Sequence, residues 1–120
     1  MKRLLALSIA CFASAGAVAA GGQAPQGAAR ASIERTFDRH KGGFYAIYGR
    51  ALRENPNLAG KVVLDIDIAA SGAVSDCRVV SSELPRELAA RFCERVRQIQ
   101  FEPQQASSTL RKPLDFFPAG

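Results

Sequence analysis

The run Lys61-Val62-Val63-Leu64-Asp65-Ile66-Asp67-Ile68-Ala69 constrains this chain more than any other stretch. It is rich in β-branched residues and alternates, with Leu64, Ile66 and Ile68 on one face and Asp65 and Asp67 on the other. That period of two is the pattern of a half-buried strand. Ala70-Ser71-Gly72 follows as a turn, with Gly72 free to take positive φ. A second run, Ala73–Ser82, carries Val74, Cys77, Val79 and Val80, and its alternation breaks: Val74 and Val80 share a parity that Cys77 and Val79 do not. A bulge and a sheet edge both account for that break. A two-stranded hairpin is barely stable in water on its own. Its apolar face must be covered by the segments on either side.

Those segments have helical periods. Phe44, Ile47, Tyr48, Ala51 and Leu52 form one stripe of a 3.6-residue repeat, which Pro56 ends. Upstream, Ile33 and Phe37 are four apart, consistent with a helical turn or a short strand. Beyond the hairpin, Leu88, Phe92, Val96 and Ile99 form a second stripe with Ala89 and Cys93 beside it. Pro85 suits the first turn of that helix, and Phe101-Glu102-Pro103 ends it. Leu110 to Phe117 reads as a last strand with Leu114 and Phe116 on one face. Pro113 inside it lacks a ladder donor, so the strand is an edge strand or a bulged one. The expectation is an α+β fold in the order α1-β1-β2-α2-β3, with two helices packed on one face of a small antiparallel sheet, the economical way to bury three apolar faces.

A chain of 120 residues holds one domain. Met1-Lys2-Arg3, the apolar stretch Leu4–Ala15 and the small residues Ala17–Ala20 read as a secretory signal over residues 1–20, cleaved before Ala20 or Gly21. An uncleaved anchor, and a lipoprotein signal ending at Cys11, are the alternatives; the apolar run is shorter than the ~20 residues a span wants. Residues 21–31 lack any large apolar group and read as a flexible tail, which leaves residues 32–118 as the domain. Without Lys2 and Arg3 the chain carries 14 basic and 11 acidic side chains. The basic residues are scattered among acids and not interleaved with aromatics, which excludes a nucleic-acid footprint.

The residues that could carry chemistry are few. His40 is the one histidine; with Asp38 beside it and Cys77 or Ser81 elsewhere it could form a nucleophile–base pair, but the sequence around it matches no nucleophile motif and a surface histidine is the simpler reading. One histidine and two distant cysteines lack metal-ligand spacing, so no metal or cofactor is expected. Asp65 and Asp67 share a face and could do acid–base work; on the polar side of a half-buried strand they read as solvated charges. Lys41-Gly42-Gly43 lacks the frame of a phosphate loop. Cys77 and Cys93 leave a choice. An oxidising compartment favours a disulfide. Layer spacing puts their Cα atoms ~7–8 Å apart, too far for a bridge. A bend in the second strand would close that gap.

The residues His40-Lys41-Gly42-Gly43-Phe44-Tyr45-Ala46-Ile47-Tyr48, Ala51-Leu52, Pro56, Leu58, Gly60-Lys61-Val62, Gly72-x-Val74, Val80-Ser81-Ser82 and Ile99-x-Phe101, in this order and spacing, resemble the C-terminal domain of TonB-type energy transducers, in the branch labelled AgmX/PglI C-terminal. The resemblance covers residues 33–117. It implies a periplasmic, non-enzymatic protein-interaction module that binds an envelope protein by adding the partner's strand to a sheet edge. The edge candidate is the last strand, Leu110–Phe117, through Leu110, Arg111, Lys112, Leu114 and Phe116, with the gap at Pro113 limiting the ladder it offers. A homodimer through the same edge, a self-associating envelope structural protein and a small periplasmic enzyme centred on His40 are the other readings; His40→Ala separates the last. The chain departs from a transducer in two respects. Ser8 is followed four residues later by Phe12 where the motor-binding helix has histidine, and Pro25 alone stands in place of a proline-rich spacer.

Overall fold

The cleanest alternating run becomes the middle of the sheet. A computed structural model describes residues 23–118, so the expectations for residues 1–22 lie outside the described residues. In it β1 (Gly60–Ile68) pairs antiparallel with β2 (Val74–Ser82) on one side and β3 (Ser108–Phe116) on the other. Val62, Leu64, Ile66 and Ile68 are at most 1% exposed on one face, and Asp65 and Asp67 occupy the opposite one. The apolar face is covered by α1 (Gly27–Glu54) and α2 (Arg86–Arg97), giving the expected α+β fold in the order α1-β1-β2-α2-β3.

The two pairings of β1 differ. With β3 the register runs unbroken from Gly60↔Phe116 to Ile68↔Ser108. With β2 it shifts twice, leaving Val80 and Ser75 unpaired as bulges. The bulges explain the broken alternation, because they set Val74, Cys77 and Val79 opposite Ile68, Ile66 and Leu64. Val79 and Val80 nevertheless stay exposed on this outer strand.

The first helix is longer than its apolar stripe suggests. Ile33 and Phe37 lie on the same buried face as Phe44 and Tyr48, so the helical turn and the later stripe are one 28-residue helix. It begins at Gly27, inside the stretch whose composition reads as a flexible tail. Ala28, Ala29 and Ala31 supply high helix propensity there without any large apolar group. Gly43 makes room for a side chain of the second helix: a Cβ at that position would lie 2.6 Å from Nε of Arg95.

Pro85 sits one residue outside α2, and the helix ends at Arg97, short of the expected Phe101. The N–H groups of Gln98 and Ile99 turn back to the carbonyls of Arg95 and Val96 at 3.1 and 3.0 Å, tightening the last turn. The chain then crosses the tip of the hairpin. Phe101 N–H donates to Gly72 C=O (2.9 Å) and Gln104 N–H to Ala70 C=O (2.7 Å). Gly72 has φ +93°, and a Cβ there would fall 2.0 Å from the Phe101 carbonyl oxygen, so glycine is required twice over.

Phe92, fully buried, stacks on Phe116 at 4.5 Å between centroids and meets Phe44 at 6.3 Å; Phe37 packs on Phe101 at 5.3 Å. Tyr48 donates its hydroxyl to the Leu58 carbonyl, and burial pushes its pKa up. Cys77 and Cys93 are joined by a disulfide with Cα atoms 5.6 Å apart, closer than general layer spacing allows. The reason is local: α2 meets β2 through Ala89 and Cys93, both small and buried, and Arg97 one turn on donates to the Cys77 carbonyl at 2.8 Å.

Two measurements test this packing. Phe92→Ala is expected to cost ~3–5 kcal/mol, most of the stability of a domain this small, read as a large fall in the urea midpoint. Reducing the disulfide, which closes a loop of about 15 residues, removes roughly 3 kcal/mol and lowers the melting temperature by roughly 10–25 °C. An unchanged melting curve after reduction would show that the bridge contributes nothing.

Candidate functional site

Both outer strands of the sheet, β2 and β3, expose an edge, and they are finished differently. On β3 the direction of each main-chain group follows from one contact. Thr109 N–H donates to the Gln23 carbonyl at 3.1 Å, away from β1. In an unbroken antiparallel ladder alternate residues point their N–H and C=O the same way. Arg111, Pro113 and Asp115 therefore also turn theirs outward, while Leu110, Lys112, Leu114 and Phe116 bond to β1 and direct their side chains to the helix side. Pro113 thus lacks its N–H on the open edge, where its absence costs the ladder with β1 nothing. Gln23 closes the Ser108 end of this edge. Beyond it the edge offers the N–H groups of Arg111 and Asp115 and the carbonyls of Arg111, Pro113 and Asp115.

A groove of about 190 Å³ opens beside that edge, between β3 and α1. Phe37, Phe44, Tyr45 and Phe116 give it an aromatic lining, with Lys41, Asp38, Lys112 and Asp115 at its rim. Tyr45 meets Phe116 edge-on at 5.9 Å and is itself 50% exposed. Lys112 is held in place by Glu34 (2.9 Å) and lies 5.1 Å above the Phe37 ring.

The β2 edge is less open. Two bulges interrupt it, and Arg97 occupies the outward carbonyl of Cys77 while also reaching the Asp76 carboxylate at 3.3 Å. Bulges and charged side chains on an edge are the usual means of discouraging strand pairing.

The open face of the sheet carries the two aspartates of the central strand. Neither is a bare solvated charge. Arg111 grips Asp65 through two hydrogen bonds of 2.7 and 2.9 Å, and Arg78 bridges Asp67 (2.9 Å) and Asp76 (2.6 Å). Thr109 adds a bond to Asp67 at 2.9 Å. The Arg111 guanidinium holds the Asp65 carboxyl below the usual carboxylate range, and Arg78, with Thr109, does the same for Asp67; Arg78 also lowers Asp76. Carboxylates so tied to arginine are not poised for proton transfer near neutral pH.

The residues weighed for catalysis are not brought together. His40 lies in the middle of α1 rather than at its start, partly buried, with Nδ1 3.4 Å from an Arg95 nitrogen. Ser81 pairs with Val63 on the open face, across the sheet from the helix layer. The sulfur of Cys77 is bonded to Cys93. Among the described residues no group of three or more His, Cys, Asp and Glu side chains could hold a metal ion, and no helix is long and apolar enough to cross a membrane. Sequence reasoning placed Leu110–Phe116 at an edge but missed the α1 wall of the groove, since the one signal for it was the spacing of Phe37, Lys41 and Tyr45 on an unbroken helix. It also missed Gln23, which stands in a segment with no strand pattern.

No protein-family model matches the chain, and no curated protein or solved structure is significantly similar to it.

The aspartate network has a pH signature. A carboxyl whose native pKa is lowered contributes stability that is complete above the ordinary value, near pH ~4, and is lost as the pH falls through the lowered native value. Urea midpoints are therefore expected to hold steady down to about pH 4 and to drop below it. Asp65→Asn and Asp67→Asn should lower stability at neutral pH and flatten that drop; an acid profile as steep as that of the parent chain would show that these pairs do not contribute.

Proposed function

We propose that the chain is a non-enzymatic interaction module of the cell envelope that binds an extended segment of a partner protein by adding it as a fourth strand on β3. The observation that carries this reading is the contrast between the two edges: β3 is regular, with outward main-chain groups at Arg111, Pro113 and Asp115, whereas β2 is bulged and capped by Arg97. Strand addition draws affinity from main-chain hydrogen bonds and specificity from pockets for alternate side chains. Here the groove between β3 and α1 is such a pocket, since every second side chain of an added strand would point to the helix side. The resemblance to TonB-type C-terminal domains supports the same reading and suggests the periplasm as the compartment; the disulfide suits an oxidising environment. A role in transmitting force is not part of this proposal.

The outward N–H groups make the test selective. Asp115→Pro removes a donor from the open edge without touching the ladder to β1, as Pro113 already does. Pull-down from envelope extract with the parent chain should yield a partner that Asp115→Pro no longer retains and that Val79→Pro, on the β2 edge, still does. Hydrogen exchange of the complex should show new protection at the amides of Arg111 and Asp115. Protection elsewhere, with both variants binding alike, overturns the assignment.

A further inference from the structure

The arginines at the sheet and those along the outside of α1 differ in their partners. Those at the sheet, Arg78, Arg97 and Arg111, each grip a carboxylate at 2.6–3.3 Å. Those along the outside of α1, Arg35, Arg39, Arg50 and Arg53, are exposed and make no ion pair among the described residues; Arg39 reaches only the Thr36 hydroxyl, at 3.3 Å. At 100° per residue these four occupy one sector of the helix, opposite the buried stripe of Ile33, Phe37, Phe44 and Tyr48. The sector runs for about 27 Å at 1.5 Å per residue. Of the carboxylates of α1, Glu34 and Asp38 are paired with Lys112 and Lys41 on the groove side, and Glu54, one turn beyond Arg50, lines with it the hollow between α1 and α2.

We infer that this face of α1 docks on a bilayer carrying anionic phospholipid headgroups. Charge complementarity supplies the attraction, because a row of exposed guanidiniums that form no ion pair among the described residues meets a plane of phosphates. All four cations are arginines, whose planar fork matches a phosphate in bidentate fashion, while the lysines of the helix side, Lys41 and Lys112, are spent on the groove. A protein partner fits less well. Interface cores are built on aromatic and aliphatic anchors, and between these arginines stand only small residues such as Ala31, Gly42, Ala46 and Gly49. Single-stranded nucleic acid calls for stacking aromatics beside the charge, which the sector also lacks. Docked this way, the molecule would turn its helix layer to the membrane and leave the β3 edge open at the side. This inference stands on the arginine row and not on the strand-addition reading.

Vesicle co-sedimentation of the full chain tests it, with phosphatidylcholine alone and with phosphatidylcholine mixed with phosphatidylglycerol. Binding is expected to the mixed vesicles only, and raised salt should release it. The double variant Arg39→Gln/Arg50→Gln should weaken binding about thirtyfold, at ~1 kcal/mol for each cation near the surface. The charge-matched variant Lys41→Gln/Lys61→Gln, with its cations off the sector, should stay near the parent affinity, and circular dichroism should show both variants helical as the parent. Equal binding to phosphatidylcholine alone, equal weakening in the two variants, or tighter binding to a DNA duplex than to the mixed vesicles each overturns the proposal.

Discussion

β1 has no free side. It is hydrogen-bonded along both edges and buried on one face, so a one-residue slip against either neighbour would send Leu64, Ile66 and Ile68 into water and bring Asp65 and Asp67 under the helices. That makes its register the constraint on which the remaining structure depends. The helices need its apolar face as their floor, Phe116 reaches Phe92 only because Phe116 is held opposite Gly60, and Arg111 reaches Asp65 only because the two are direct cross-strand partners. The charged face reinforces the same alignment. Asp65–Arg111 and Asp67–Arg78 each join β1 to a different neighbour, so electrostatics on one face and packing on the other specify one and the same pairing.

The asymmetry between the two outer strands follows from how each is anchored. β2 is tied to α2 by the disulfide and by Arg97, and its two bulges let Cys77 face the helix. Those devices secure β2 at the expense of a regular edge. β3 is held by its ladder and by Phe116 and Leu110 in the core, contacts that leave its outer main chain untouched beyond Gln23. Anchoring a strand through its side chains keeps its backbone available, which is the physical basis for placing recognition on that side.

The architecture was legible because period-two and period-3.6 patterns do not imitate each other, and Leu64–Ile68 and Leu88–Val96 each state theirs without interruption. The start of α1 was not, because helix formation by an Ala-rich stretch such as Gly27–Ala31 depends on propensity and on the buried turns that follow, not on apolar pattern. The end of α2 was misplaced for a related reason. Ile99 keeps the apolar spacing of the helix, three residues after Val96, and is buried although it lies beyond the last helical residue, so burial alone could not separate the two states. Of the candidate site, Pro113 marked the edge correctly. The groove was hidden because it is made by residues far apart in sequence, Phe37 and Tyr45 against Lys112–Phe116. The disulfide looked too long on average layer spacing, but the broken alternation of the second strand already signalled the bend that would close the gap; what the sequence did not show is the small-residue face that Ala89 and Cys93 present to β2.

Hairpin tips are ordinarily the most forgiving part of a sheet, the place where chains accept insertions and proteases find purchase. The tip at Ala70–Gly72 is an exception. Its carbonyls receive Phe101, Gln104 and the Gln100 side chain, and the space over Gly72 is filled by the Phe101 carbonyl. A loop grafted there would unseat the exit from α2 together with the turn, thirty residues away in the chain. The turn makes its own bonds, Ala69 N–H to Ala73 C=O and Gly72 N–H to Ala69 C=O, but its tip is finished only when the segment after α2 arrives. An inserted loop is better placed in the other connections, the turn around Pro56-Asn57 or the polar stretch Gln105–Ser107, both exposed.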